Sequence, residues 1–104
     1  MYNTQNELID DITPVLHDYP VKRAALFGSY ARNEQRSDSD VDLLIDLGTN
    51  EKFPVVDYVF DMVNFLENKL NLHIDLVTVR SLKSNPSLLF RENIERESRW
   101  FYEI

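Results

Sequence analysis

The sequence has no cysteine, which excludes a disulfide framework and any thiolate metal site. Basic residues are scarce, with eleven Lys and Arg against eighteen Asp and Glu and a formal net charge of -7. That balance argues against a general nucleic-acid binder, which covers phosphates with a Lys/Arg face. Glycine is rarer still, at two residues beside four prolines, and no repeat, low-complexity segment or internal linker is visible. No apolar run is long enough to span a bilayer. The opening residues are polar and lack the basic start and apolar core of a signal peptide. One cytoplasmic domain over residues 1–104 is expected, burying roughly 65% of the surface its unfolded form exposes.

Because glycine is so sparse, its placement is informative. Gly28 follows the apolar run Val21 to Phe27 and is followed by Ser29. A polar loop leads to a second apolar run, Val41 to Leu47, that opens with Asp40-Val41-Asp42. These runs read as strands. The first lacks a polar break at its end, as a buried central strand does. In the second, alternation puts Val41, Leu43, Ile45 and Leu47 on one face and Asp40, Asp42 and Leu44 on the other. Residues 30–34 read as a short helix with Ser29 near its N-cap.

The flanking segments read as scaffold. Thr4-x-x-Glu7 is a capping-box pattern, and Leu8, Ile12, Val15 and Leu16 share a helical face. Pro14 predicts a kink or a fresh start capped by Thr13, with Tyr19-Pro20 closing the helix. Gly48 to Asn50 is a turn. Pro54 opens a helix with Glu51 and Asp57 near the positive end of its dipole. Its apolar stripe is Val55, Val59, Met62, Leu66 and Leu70, joined by Tyr58 and Phe65, with Asn71 as a left-handed stop. Leu72 to Val79 is a third strand carrying one acid, Asp75. Ser81 to Asn85 is a connection. Pro86 opens a last helix with Leu88, Leu89, Phe90 and Ile94, and the tail Arg99 to Ile104 is helix or a short edge strand. Trp100, Phe101 and Tyr102 read as a partner-binding patch or as the closing edge of the core, with at least one expected in the core.

Carboxylates inside apolar strands are costly unless balanced. Asp40 and Asp42, with Asp75 on a strand able to neighbour theirs, repel one another unless divalent cations sit between them. Mg²⁺ suits such a set, taking a few carboxylates and substrate phosphates. Two ions about 3.5–4 Å apart clamp the attacking and leaving oxygens of a phosphoryl-type displacement. Gly28 lets the backbone approach an anion. Ser29 adds a hydroxyl at a helix start, and Arg32 reaches the same phosphates. Lys22, Arg23, Arg32 and Arg36 form a local basic spot near this turn. Gly-Ser alone is a common turn, and a lone Asp-x-Asp is commonly a solvated strand edge; the ordered combination carries the reading.

Gly28-Ser29, ten residues, then Asp40-Val41-Asp42 resembles the signature of the DNA polymerase β-like nucleotidyltransferase superfamily. Phe27-Gly28-Ser29-Tyr30-Ala31-Arg32, Ser37-Asp38-Ser39-Asp40-Val41-Asp42-Leu43 and Ile74-Asp75-Leu76-Val77 are similar to minimal nucleotidyltransferase (MNT) domains, antitoxins paired with HEPN-domain toxins. The resemblance covers nearly the whole chain. It implies an α+β fold, with a small mixed sheet of the palm type and helices packed on one side.

It also implies transfer of AMP from ATP to a tyrosine hydroxyl of a HEPN RNase toxin, which silences the toxin. Asp40 and Asp42 would hold two Mg²⁺ ions, and Asp75 would complete the metal site and help activate the acceptor. Gly28 and Ser29 would bind the β- and γ-phosphates, with Arg32 in support. Asn33 stands where many members have glycine, and Asn tolerates the left-handed conformation. His73 shares the face of Asp75 and could touch the site, although a structural or surface histidine is the commoner case. Tyr30 flanks the nucleotide or lies on the surface, and His17 has no visible role. Two other readings stay open. One is an antitoxin that works by occlusion, its acidic surface covering a basic RNase cleft. The other is a stand-alone small-molecule nucleotidyltransferase, for which the chain lacks a domain to cover the acceptor.

Overall fold

The structure, a computed structural model, describes residues 2–48 and 55–104, without the side chains of 55–57. In chain order the elements are α1 (Gln5–Leu16), β1 (Arg23–Phe27), α2 (Gly28–Ala31), β2 (Val41–Asp46), α3 (Val55–Leu70), β3 (Ile74–Thr78), α4 (Val79–Ser84), α5 (Leu88–Glu97) and β4 (Arg99–Glu103). The four strands form one mixed sheet in the order β3-β2-β1-β4. β1 runs antiparallel to both β2 and β4, while β2 and β3 are parallel and joined through α3. Parallel neighbours require such a crossover. No helix of the described residues is long and apolar enough to cross a membrane.

Ala24, Ala25 and Leu26 are fully buried, which is why β1 reads as an unbroken apolar run and lies inside the sheet. The larger core sits on the face where α1 and α3 pack. Leu8, Ile12 and Leu16 from α1 and Met62, Leu66 and Leu70 from α3 meet Val41, Leu43 and Ile45 of β2 there. The smaller core, on the opposite face, joins Ala25 and Leu44 to Leu82 of α4 and Ile94 of α5. The expectation that the helices pack on one side is corrected: α1 and α3 cover one face, while α4 and α5 lie against the other, where Ala25 and Leu44 leave an apolar surface to bury. The aromatic tail is the edge strand β4, with Tyr102 buried against the His17 ring, 5.1 Å away edge-on, and Trp100 exposed.

Several local expectations change. α1 is continuous through Pro14 and ends at Leu16, with the Thr13 hydroxyl donating to the Ile9 carbonyl. Its start is capped as expected by Thr4, which accepts from Glu7 N–H at 3.2 Å. Residues 81–85 are not a plain connection: Thr78 accepts from Ser81 N–H at 3.0 Å and caps α4. The third strand is correspondingly shorter, from Ile74 to Thr78. Phe65 leaves the α3 stripe and is exposed, as are Leu88, Leu89 and Phe90 on α5. The turn through Thr49 and Asn50, the Pro54 start and the roles of Glu51 and Asp57 lie outside the described residues.

At the far end of β1 from Gly28, the Arg23 guanidinium donates to Asp46 at 2.9 Å and stacks over Trp100, 4.3 Å from its centroid. Arg23 is thus no part of a basic spot at the Gly-Ser turn. Burial alone would raise the Asp46 carboxyl, but the Gly48 N–H and the Arg23 guanidinium outweigh it and hold the group below its usual range. A carboxyl depressed on folding adds stability above its unfolded pKa and loses it as pH falls through the folded value. Asp46→Asn is therefore expected to lower stability at pH 7 by about 1 kcal/mol and to flatten the acid limb of thermal stability below about pH 4. Melting curves across pH check both; an unchanged acid limb would count against the Arg23–Asp46–Gly48 arrangement.

Candidate functional site

The parallel register of β2 and β3 sets Asp42 opposite Asp75 and Val41 opposite Ile74. One step earlier, Val41 N–H donates to the His73 carbonyl at 2.8 Å, which brings Asp40 alongside His73. Side chains two apart share a face of a strand. Asp40, Asp42, His73 and Asp75 thus form a two-by-two group on the face opposite the larger core. Asp42 shares its rung with Asp75 and feels the charges of Asp75 and Asp40. The trio whose ligand atoms all come within 4.8 Å of one another is Asp40, His73 and Asp75.

Asp42 is the inner member of the group. It is half-buried, and its Oδ2 presses on the Cα of Gly28: a Cβ there would lie 2.0 Å from that oxygen. Gly28 also has φ +71°, a left-handed conformation that side chains resist. Two separate constraints thus demand glycine at this position. The Asp42 carboxyl is pushed up to about 6, first by burial, then by the neighbouring charges of Asp75 and Asp40, with a hydrogen bond to Asp75 adding to the effect; the Arg32 charge works against them. Such a set fits divalent cations by its donor chemistry, since hard oxygen ligands that repel one another are relieved by a cation among them.

The turn that faces Asp42 is firmly built. α2 begins at Gly28 itself, so Ser29 sits inside its first turn and Phe27 takes the N-cap position. This corrects the expected helix over 30–34. Arg32 and Glu34 donate backbone N–H groups back to Gly28 and Ser29 carbonyls, and Asn33 adopts φ 58°, the left-handed conformation anticipated for it. From below, the buried Gln5 donates its Nε2 to the Ala31 carbonyl at 2.9 Å. Tyr30 neither flanks a nucleotide nor lies on the surface; it is fully buried in the larger core.

Arg32 is near enough to influence Asp42, yet its guanidinium is shared between Glu34 at 3.1 Å and Glu97 of α5 at 3.0 Å. Nothing local in the sequence announces Glu97 as a partner. The two-residue spacing from Asp75 put His73 on the same face, and the structure brings its ring to the acids, where a surface or structural histidine was the preferred reading. Its Nδ1 lies 3.5 Å from Asp40 and 3.9 Å from Asp75.

Gly28→Ala is expected to displace the Asp42 carboxylate, lower divalent-ion affinity and cost about 1–2 kcal/mol of stability through the left-handed backbone alone. Calorimetric titration with Mg²⁺ and a denaturant melt check the two effects separately. Retained affinity in a destabilised variant would show that the contact with Asp42 is not what Gly28 supplies.

The nucleotidyltransferase domain family model matches residues 12–101. A Methanocaldococcus jannaschii protein provisionally named a protein adenylyltransferase is 36% identical over 92 residues, which is 88% of each chain. A solved structure described as a minimal nucleotidyltransferase superposes with a TM-score of 0.64 at 28% identity, covering 92% of this chain and 94% of that one. The MNT antitoxin complexed with a tri-AMPylated HEPN toxin of Shewanella oneidensis shares the fold, with a TM-score of 0.65 at 18% identity over 97% of this chain and 74% of that one. With the Gly28-Ser29 turn set against Asp42 on a mixed sheet, the chain belongs to the nucleotidyltransferase domain family and is one of its minimal enzymes.

Proposed function

We propose that this protein transfers AMP from ATP to a tyrosine hydroxyl of a HEPN-domain RNase toxin and thereby silences it. The observation that carries the reading is the side-by-side placement of Asp42 and Asp75 against the Gly28 turn. The name of the Methanocaldococcus relative and the modified toxin in the Shewanella complex support the donor and the class of acceptor. A cytoplasmic reaction is in keeping with ATP as donor, and the net charge of -7 argues against direct binding of nucleic acid.

In this reading Asp40 and Asp42 hold two Mg²⁺ ions, and Asp75 completes the site on the acceptor side. Bound there, Mg²⁺ would supply stabilisation of the negative charge that builds up during the displacement. Gly28 and Ser29 bind the β- and γ-phosphates, and Arg32 supports them with its guanidinium fork. The tyrosine oxygen attacks the α-phosphorus, and the bond from that phosphorus to the pyrophosphate oxygen breaks. Asp75 helps remove the hydroxyl proton. The acceptor tyrosine arrives on the partner.

Incubation of the protein with ATP, Mg²⁺ and its HEPN partner is expected to add AMP to the partner, read by intact mass. Asp42→Asn is expected to abolish labelling while circular dichroism stays unchanged; wild-type labelling by that variant would overturn the two-metal reading. Full protection of toxin-expressing cells by the Asp40/Asp42/Asp75 triple Asn variant would instead favour occlusion. Glu97→Gln releases one partner of Arg32 and is expected to tighten ATP binding by up to about fivefold, the worth of one exposed ion pair. Weaker ATP binding in that variant would mean that Glu97 positions Arg32 rather than competing for it.

A further inference from the structure

We infer that His73 supplies an imidazole nitrogen, Nδ1, to the divalent ion held by Asp40 and Asp75, which biases that position toward first-row cations such as Mn²⁺ over Mg²⁺. The inference rests on the reading that the carboxylates bind divalent ions, and it adds a ligand beyond them.

Three features of the ring's surroundings carry it. First, the parallel register fixes the backbone of His73 through its carbonyl, which accepts from Val41 N–H. Second, Nδ1 faces both carboxylates, at 3.5 Å from Asp40 and 3.9 Å from Asp75. Its possible ligand atom comes within 4.8 Å of one from each, a span that one ion can bridge. Third, the other ring nitrogen has a carboxylate of its own: Nε2 lies 4.0 Å from Glu67 Oε2. That oxygen is anchored from α3 to the sheet by accepting from Ile74 N–H at 3.0 Å. The carboxylate lies on the side of the ring away from the ion site, the side from which metal-bound histidines are held, at an ion-pair distance rather than in a hydrogen bond. A histidine kept only for solubility has no need of a fixed acid behind it.

The chemical consequence follows from the donor set. Mg²⁺ takes oxygen ligands and parts reluctantly with water, whereas first-row transition ions also accept imidazole, with an affinity that rises along the series from Mn²⁺, which makes Mn²⁺ the mildest test of the bias. Two carboxylates and one imidazole therefore discriminate where three carboxylates would not. His73 is exposed enough, at 59% of its side chain, for its removal to leave the fold intact.

The test is metal binding to the purified full chain without nucleotide. Mn²⁺ and Mg²⁺ titrations are run on the wild type, His73→Ala and Asp75→Asn, and spin-echo spectroscopy of bound Mn²⁺ reads any coordinated ¹⁴N. The chain has two histidines, and His17 packs on Tyr102, so loss of the nitrogen signal in His73→Ala assigns it. The expected result is ¹⁴N modulation in the wild type that His73→Ala removes, with a Mn²⁺ affinity about tenfold or more lower and a Mg²⁺ affinity within about twofold. Mn²⁺ binding that Asp75→Asn weakens and His73→Ala leaves unchanged, without ¹⁴N modulation, would overturn this inference and spare the carboxylate site. Absence of Mn²⁺ and Mg²⁺ binding in the wild type would overturn both.

Discussion

Two carboxylates stand side by side across a pair of parallel strands, and most of the fold is arranged so that they can stay there. Asp42 and Asp75 occupy the same rung of β2 and β3, where like charges repel and the folded chain must absorb the cost. The opposite face of β2 supplies the compensation, since Val41, Leu43 and Ile45 are fully buried among the side chains of α1 and α3. A one-residue slip of β2 would send those three into the polar side and the acids into the core. The apolar alternation therefore protects the register of the acids without touching them.

The same logic explains the uneven two-sided layering. The face under the long helices is closed and carries no chemistry. The other face is covered only in part, by Leu82 of α4 and Ile94 of α5 against Ala25 and Leu44. That partial cover leaves Asp40, Asp75 and His73 reachable while Asp42 stays half-buried. Burial and the neighbouring acids accordingly raise the Asp42 carboxyl, and Gly28, which lacks a side chain, is what lets its carboxylate lie against the turn.

The legible parts of this architecture were those governed by short-range rules. Period two put Asp40 and Asp42 on one face, and the unbroken Ala-Ala-Leu-Phe run marked β1 as interior. Asn33 and Asn71 were recognised as residues that tolerate a left-handed backbone, and both adopt it. The failures share a cause, which is dependence on distant partners. His73 gains its neighbours from the parallel pairing with β2, and Arg32 finds Glu97 across the fold on α5. Tyr30 is drawn into the core by packing that its polar sequence neighbours do not reveal. α4 was missed because Val77, Thr78 and Val79 form a β-branched run that reads as strand, and the Thr78 cap that starts the helix became visible only in three dimensions.

β1 has neighbours drawn from very different distances along the chain. It meets β2 after a short excursion through α2, but its pairing with β4 joins Arg23 to Glu103 and Leu26 to Arg99. Contacts that close long loops are the slow ones in folding. The strand leading into Gly28 thus gains its second flank only after the most distant segment has returned. Maturation of the Gly28 turn is therefore tied kinetically to an edge strand that places no side chain beside Asp42, and slower docking of β4 would delay the turn without altering its final geometry.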